Sequence, residues 1–174
     1  MDLKTKIRRV PEFKGVVFWD ITPLLKDKDA FRECVKQIAR HFRNKKIDLV
    51  ASNEARGFII GAAVAYELGV GFVPIRKKGK LPSKVVNLTY NKEYETDTIE
   101  IHEDSIQSGQ KVLIVDDLLA TGGTSKANAA LVEKLGGEIA GMGFLIELEY
   151  LHGREYLGSN YDVFSIINYK TTAG

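Results

Sequence analysis

The segment from Val112 to Thr124 constrains this chain more than any other. Four apolar residues, Val112 to Val115, run without alternation, the pattern of a strand buried on both faces of a parallel sheet. Asp116 and Asp117 follow where that strand should leave the core, and then come Ala120, Thr121, Gly122, Gly123 and Thr124. Beyond them Ala127, Ala130, Leu131 and Leu135 recur at helical spacing. Strand, acidic pair, glycine turn and helix start mark the place where open α/β sheets take ligands. Backbone N–H groups of such a turn, with the free amides of the helix N-terminus, converge on one anion. Thr121, Thr124 and Ser125 add hydroxyl donors. A phosphate monoester held this way gains several charge-assisted hydrogen bonds, each worth about 1.5–3 kcal/mol net. The two carboxylates would repel that phosphate; they suit a neighbouring group rich in hydroxyls, or a divalent cation. The stretch therefore reads as a sugar-phosphate site, with a plain strand–turn–helix and a solvated acidic pair as the alternative. It is not a P-loop, because no Lys follows the second Gly. Nor is there a dinucleotide fingerprint: Gly69-Val-Gly71 and Gly141-Met-Gly143 both lack the third glycine.

The 174 residues are enough for one domain with a sizeable core. A formal charge of +2 argues neither for nor against nucleic acid. The single Cys34 cannot form an intrachain disulfide, so nothing points to secretion. The chain opens without an apolar run, and no stretch approaches the roughly 20 apolar residues that a membrane span needs. A cytoplasmic protein is the expectation.

Taken in order, residues 1–13 read as a short helix ahead of Pro11. Val16–Thr22 sets five apolar residues around Asp20 and reads as an edge strand or core loop. A helix follows over Phe31–Phe42, with Phe31, Val35, Ile38, Ala39 and Phe42 on one face. Ile47–Ser52 reads as the first core strand. Asn53–Gly57 then makes a tight loop, in which Arg56 could be only a surface salt-bridge former. The helix Phe58–Leu68 is apolar nearly all round and should be a buried crossover, with Gly69 as its C-cap. Gly71–Arg76 forms a second strand running into Lys77, Lys78 and Lys80. Such a loop is either solvated or, lying at a strand end like Asp116, a holder of a polyanion. Asn87–Tyr90 and Thr98–His102 alternate like a two-stranded ribbon with one wet face, and the polar run between them reads as a lid. Gly136-Gly137 ends the motif helix, and Ile139–Leu148 and Val163–Ile167 are two further strands. His41, His102 and His152 have no metal-ligand spacing.

Four of these segments carry a resemblance to a known family. Residues 112–124 resemble the 5-phosphoribosyl-1-pyrophosphate (PRPP) binding signature of type I phosphoribosyltransferases, in the form used by the adenine-specific members. The hood segment Val16–Thr22, the run Arg56-Gly57-Phe58 and the run Ile75–Pro82 extend it, so that it covers Val10 to about Tyr156. The segment Glu147–Tyr156 also resembles the adenine-specific members. The resemblance implies an α/β type I phosphoribosyltransferase fold in a single domain, residues 1–174. In that fold a mainly parallel central sheet with flanking helices carries a small N-terminal hood (about 1–30) and a flexible lid ribbon (about 81–105). It implies that Ala120, Thr121, Gly122, Gly123 and Thr124 wrap the 5-phosphate, while Asp116 and Asp117 approach the ribose hydroxyls. Glu54, Ala55 and Arg56 would form the pyrophosphate loop, with a cis Glu54–Ala55 peptide, and Arg76, Lys77 and Lys80 would hold the pyrophosphate. Val17 and Trp19 of the hood would meet the purine. Trp19 stands where the family usually has Arg, and the approach Phe13-Lys14-Gly15 is shorter than usual.

In the lid, Tyr94 would help cover PRPP and Glu93 would be the catalytic acid/base. By composition alone Glu93 is a solvated loop carboxylate, and Glu95, where the family usually has Gly, is an alternative for the role. The implied reaction is adenine plus PRPP giving AMP plus pyrophosphate. Mg²⁺ would be carried mainly by PRPP and pyrophosphate, with no metal site on the protein, and the expected assembly is a homodimer with no nucleic-acid or membrane partner. Two alternatives remain: hypoxanthine, guanine or xanthine as the base, kept open by Trp19, or a PRPP-sensing nucleic-acid-binding regulator. Against the second, no helix-turn-helix segment precedes the domain, and the basic residues gather at the presumed site instead.

Overall fold

The computed structural model describes residues 1–91 and 96–174, with Asn91 described by its backbone alone. After a 3₁₀ turn at Leu3–Lys6, strands β1 (Arg8–Phe13) and β2 (Val16–Asp20) pair antiparallel in a hairpin separate from the main sheet. The short helix expected ahead of Pro11 is confined to that 3₁₀ turn, and Pro11 itself lies inside β1. An edge strand tolerates the missing N–H, and the residue before proline disfavours helix. Lys14 and Gly15, with φ of 53° and 83°, make the two-residue turn, the left-handed geometry that tight hairpins require.

Helix α1 (Thr22–Lys26) leads into α2 (Lys28–Phe42). The Asp27 carboxylate caps α2 by accepting from the amides of Asp29 and Ala30, both at 3.1 Å. The unit β3 (Leu49–Asn53), α3 (Arg56–Leu68) and β4 (Gly71–Lys77) comes next, and Gly69 at φ 71° caps α3 as expected. β5 (Val85–Asn91) and β6 (Thr96–His102) precede β7 (Lys111–Leu119), α4 (Gly123–Lys134) and β8 (Glu138–Leu148). A 3₁₀ turn, α5 (Gly153–Leu157) and β9 (Val163–Tyr169) close the order.

Seven strands form one sheet in the order β5-β6-β4-β3-β7-β8-β9. The five from β4 to β9 are parallel, and β5 and β6 are antiparallel. The expected ribbon is therefore the edge of the main sheet and not a free-standing element. Its inner residues Ile99 and Ile101 are fully buried and share a cluster with Ala127, Leu131 and Val132 of α4. Period two divides the apolar run of β7 between layers. Leu113 and Val115 pack with Ile38, Phe42 and Ile60 of α2 and α3, whereas Val112 packs with α4.

Helix α3 departs from the expected all-round burial. Gly57, Ile60, Gly61, Val64 and Ala65 face the sheet, but Ile59 and Tyr66 are 45% and 89% exposed. One sheet face can cover only one stripe of a helix, so an apolar stripe on α3 is left open.

Phe42 is fully buried at the end of α2, and Phe42→Ala should cost about 3–5 kcal/mol. Urea titration should show a lowered midpoint with unchanged slope. Cys34, on the same inner face, has its thiol pushed up to about 12 by burial. It should react with a thiol reagent only as the domain unfolds, at correspondingly lower urea in the variant.

Candidate active site

The acidic pair lies within β7, which runs on past it to Leu119. Asp117 is buried, 6% exposed, and forms an ion pair with Arg56, its Oδ2 lying 2.9 Å from Nε. Arg56 opens α3, and its guanidinium also sits 4.8 Å from the ring centroid of Phe18 in β2, a cation–π contact. One side chain thus joins the central strand, a helix start and the hood. Asp116 Oδ1 accepts from the Asp117 amide at 2.9 Å. Burial pushes the Asp116 carboxyl well up, and the neighbouring Asp117 charge adds to it. Burial also raises Asp117, against the opposing pull of Arg56. Gly57 makes this arrangement possible: a Cβ there would lie 2.6 Å from Asp116 Oδ1.

The glycine turn rests on α5. Gly122 has φ 86° and precedes the first residue of α4. A Cβ on Gly122 would lie 2.7 Å from the Gly153 carbonyl, and one on Gly153 would lie 2.1 Å from the carbonyl of Ala120. Main chain therefore meets main chain with no room for a side chain. Behind it, Arg154 binds the carboxylate of Glu147 through Nε at 2.9 Å and through Nη2, and the Val163 carbonyl at 2.6 Å. Burial would raise Glu147, but Arg154 and Ser165 hold its carboxyl below the ordinary value. This network fixes α5 to β8 and β9. Tyr90 of β5 reaches the same turn, its hydroxyl 3.1 Å from Thr124 Oγ1.

These parts enclose a cavity of about 1140 Å³. Ala120, Thr121, Gly123 and Thr124 line one end, Val17, Phe18 and Arg56 another, and Leu118, Leu148 and Tyr150 the floor between. Trp19 touches this cavity, but the residue is only 5% exposed and its ring stacks on Tyr169, centroids 3.7 Å apart and planes at 13°. The hood ring that meets Arg56 is Phe18, the residue on the opposite face of the strand. Sequence reading passed over it in favour of Val17 and Trp19.

The predicted pyrophosphate residues gather at the neighbouring strand ends. The Glu54–Ala55 peptide is cis, as the resemblance implied. The Glu54 carboxylate is turned towards β4, where it accepts from Arg76 Nε at 2.9 Å and from the Lys77 amide at 3.0 Å. Lys77 and Lys80 are exposed, and the loop that carries them is held from beneath. Glu100, 3% exposed, accepts from the amides of Lys80 and Leu81 at 2.9 Å each. Burial would raise its carboxyl, and these amides with that of Gly79 bring it below the ordinary value. Arg76, Lys77 and Lys80 do not line the cavity itself. Glu93, Tyr94 and Glu95 lie outside the described residues. Gly57, Glu100 and Gly153 are the other residues not singled out in the sequence; Gly57 lies inside the matched run Arg56–Phe58 and Gly153 inside the segment 147–156, whereas Glu100 carried no signal.

A parallel sheet with a strand–acidic pair–glycine turn at its centre and a hood across the cavity defines a type I phosphoribosyltransferase. Residues 21–172 match the phosphoribosyl transferase domain. The adenine phosphoribosyltransferase of Thermotoga maritima is 54% identical over 171 residues, spanning 97% of this chain and 98% of its own length. The crystal structure of adenine phosphoribosyltransferase from Thermoanaerobacter pseudethanolicus superposes with a TM-score of 0.93 at 50% identity, over 97% of this chain and 98% of that one. That of the Saccharomyces cerevisiae enzyme, complexed with D-2,5-dideoxy-2,5-imino-altritol 1,6-bisphosphate and adenine, gives 0.87 at 38% identity over 94% and 96%. This chain belongs to the adenine phosphoribosyltransferase family.

The raised Asp116 carboxyl has a definite sign in stability. An acid whose native pKa lies above its unfolded value costs stability as pH rises from the unfolded value through the native one. Asp116→Asn should therefore melt higher than the wild type at neutral pH, and the gap should close as pH falls towards about 4. Thermal melts across that range test this; a gap independent of pH would mean that Asp116 ionises without penalty.

Proposed function

We propose that this protein transfers the phosphoribosyl group of PRPP to adenine, giving AMP and pyrophosphate. The observation that carries the reading is that one cavity is lined both by the glycine turn, through Thr121, Gly123 and Thr124, and by the hood ring of Phe18 with Arg56 beside it. A nucleoside monophosphate carries the matching pair, an anion and an aromatic ring. The yeast relative's complex with adenine and a bisphosphate supports it. The case for another purine rested on Trp19, whose ring is committed to Tyr169.

In this reading the amides of Gly122 and Gly123, with Thr121 and Thr124, take the 5-phosphate, and Asp116 and Asp117 take the ribose hydroxyls. The bond from C1′ of the ribose to the pyrophosphate oxygen breaks, and a bond from C1′ to a purine ring nitrogen forms as that nitrogen gives up its proton. Glu93 is the group we assign to receive it, since a carboxylate brought against the base when the lid expels water acts as a general base. The departing pyrophosphate carries the bonding electrons, and its charge falls to Arg76, Lys77, Lys80 and the backbone at Glu54 and Ala55. A Mg²⁺ carried by PRPP and pyrophosphate would neutralise part of their charge, and Asp116 and Asp117 would offer the hard oxygen donors nearest the ribose.

The open stripe of Ile59, Ala62 and Tyr66 on α3 supports a homodimer, since a contiguous exposed apolar face is what a partner covers. No helix among the described residues is long and apolar enough to cross a membrane, and we assign the protein to the cytoplasm.

With PRPP and Mg²⁺, each purine in turn should be tested for nucleotide release, and AMP from adenine should far exceed any other product; equal yields from another purine would change the substrate. Glu93→Gln should lower kcat by about 10²–10⁴-fold and leave PRPP affinity nearly intact, because the ribose phosphate is held elsewhere. Normal turnover in Glu93→Gln beside a crippled Glu95→Gln would move the role two residues. Light scattering at micromolar protein should give twice the chain mass, and a monomer would remove the dimer.

A further inference from the structure

Resting on the reading above, we infer that Arg9, Trp19 and Tyr169 are positioning residues for the purine: they fasten the hood to the end of β9 and so fix where its cavity face stands. A two-stranded hairpin is marginal in water by itself, and β1 and β2 do not join the seven-stranded sheet. Side chains therefore decide where the hairpin sits. Trp19 and Tyr169 are 5% and 2% exposed, and their rings lie stacked at 3.7 Å. Lys4 Nζ lies 4.9 Å from the Tyr169 ring centroid, extending the stack by a cation. Arg9 is the residue of β1 directly opposite Trp19, and its Nε donates to the Thr172 carbonyl at 2.7 Å. Both strands of the hairpin are thus tied at one register position to the same short stretch, residues 169–172. Thr172 itself lines the cavity.

The geometry passes this anchorage to the base end. Successive side chains of a strand point to opposite faces, so fixing Trp19 on one face of β2 also fixes Phe18 on the other, against Arg56 at 4.8 Å. Loosening the Trp19 contact releases the Phe18 ring. The glycine turn contributes no residue to this anchorage.

Nucleotide binding tests the inference without needing turnover. Calorimetric dissociation constants for AMP, IMP, GMP and ribose 5-phosphate should be measured for the wild type, Arg9→Met, Tyr169→Leu and Tyr169→Phe. Arg9 is exposed, so Arg9→Met is expected to fold even where Tyr169→Leu does not. Arg9→Met and Tyr169→Leu should weaken the preferred nucleotide about 3–10-fold while ribose 5-phosphate is unchanged, and Tyr169→Phe, which keeps the ring, should bind as the wild type does. Trp19 is the only tryptophan, so its emission reports the hood directly: it should shift to longer wavelength in the two weakened variants and not in Tyr169→Phe. Equal weakening of nucleotide and ribose 5-phosphate, or an emission shift with unchanged nucleotide affinity, would overturn the anchor. So would a wild type that binds no nucleotide more tightly than ribose 5-phosphate. A wild type that prefers IMP or GMP, with the anchor variants weakened for that nucleotide, would overturn the adenine reading and leave the anchor standing.

Discussion

A carboxylate buried within a central strand needs a counter-charge, and in this fold Arg56 supplies it. Stranding Asp117 without a partner would cost several kcal/mol, because removing one member of a buried pair leaves the other charge uncompensated. The pairing therefore fixes where α3 begins relative to β7, and through the Phe18 ring it also bears on the hood. Arg56 Nη1 is buried with no hydrogen-bond partner, so the guanidinium has not used all its donors. Fold and site share one ion pair, which is why a change at Arg56 cannot be purely functional or purely structural.

Around this pair the site is assembled by main chain lying close to its neighbours. Gly57 admits a carboxylate, and Gly153 admits the carbonyl of Ala120. Such contacts are rigid because they have no side chain to rearrange. The positions of Ala120 to Thr124 are set by α5, and α5 is held in turn by Arg154 on the buried Glu147 carboxylate. The basic loop is built differently. Its lysines are exposed and its backbone is pinned by Glu100, so the frame is fixed while the lysine heads stand in solvent.

Much of this was legible in the sequence because local pattern and tertiary placement agree. The unbroken apolar run of β7, the helical spacing after Gly123 and the C-cap at Gly69 each need no partner to be recognised. The misreadings came where a distant element decides. Thr98–His102 alternates like a half-wet ribbon, yet α4 covers its inner residues and β4 pairs with its backbone. Helix α3 looked buried all round because composition cannot say how many faces a fold provides to cover it. Trp19 drew attention by its size and by the Arg it replaces; that its ring is spent on a stack while Phe18 meets Arg56 depends on Tyr169, at the other end of the chain. Glu100 looks like any solvent-facing strand residue until the amides it accepts from are located.

The bond between Arg9 and Thr172 spans 163 positions of sequence, and the Trp19–Tyr169 stack spans nearly as many. Contacts between the two ends of a chain form late, after most of the loop entropy has been lost. During synthesis the N-terminal hairpin emerges first, and its mooring on β9 is among the last parts made. The glycine turn rests on α5, whose Arg154 reaches Val163 and Ser165 of the final strand, and the hood is moored just beyond that strand. A ribosome-bound chain stopped short of residue 163 thus has neither the hood fixed nor the β9 partners of Arg154 in place, and both walls of the cavity settle together when the last strand is added.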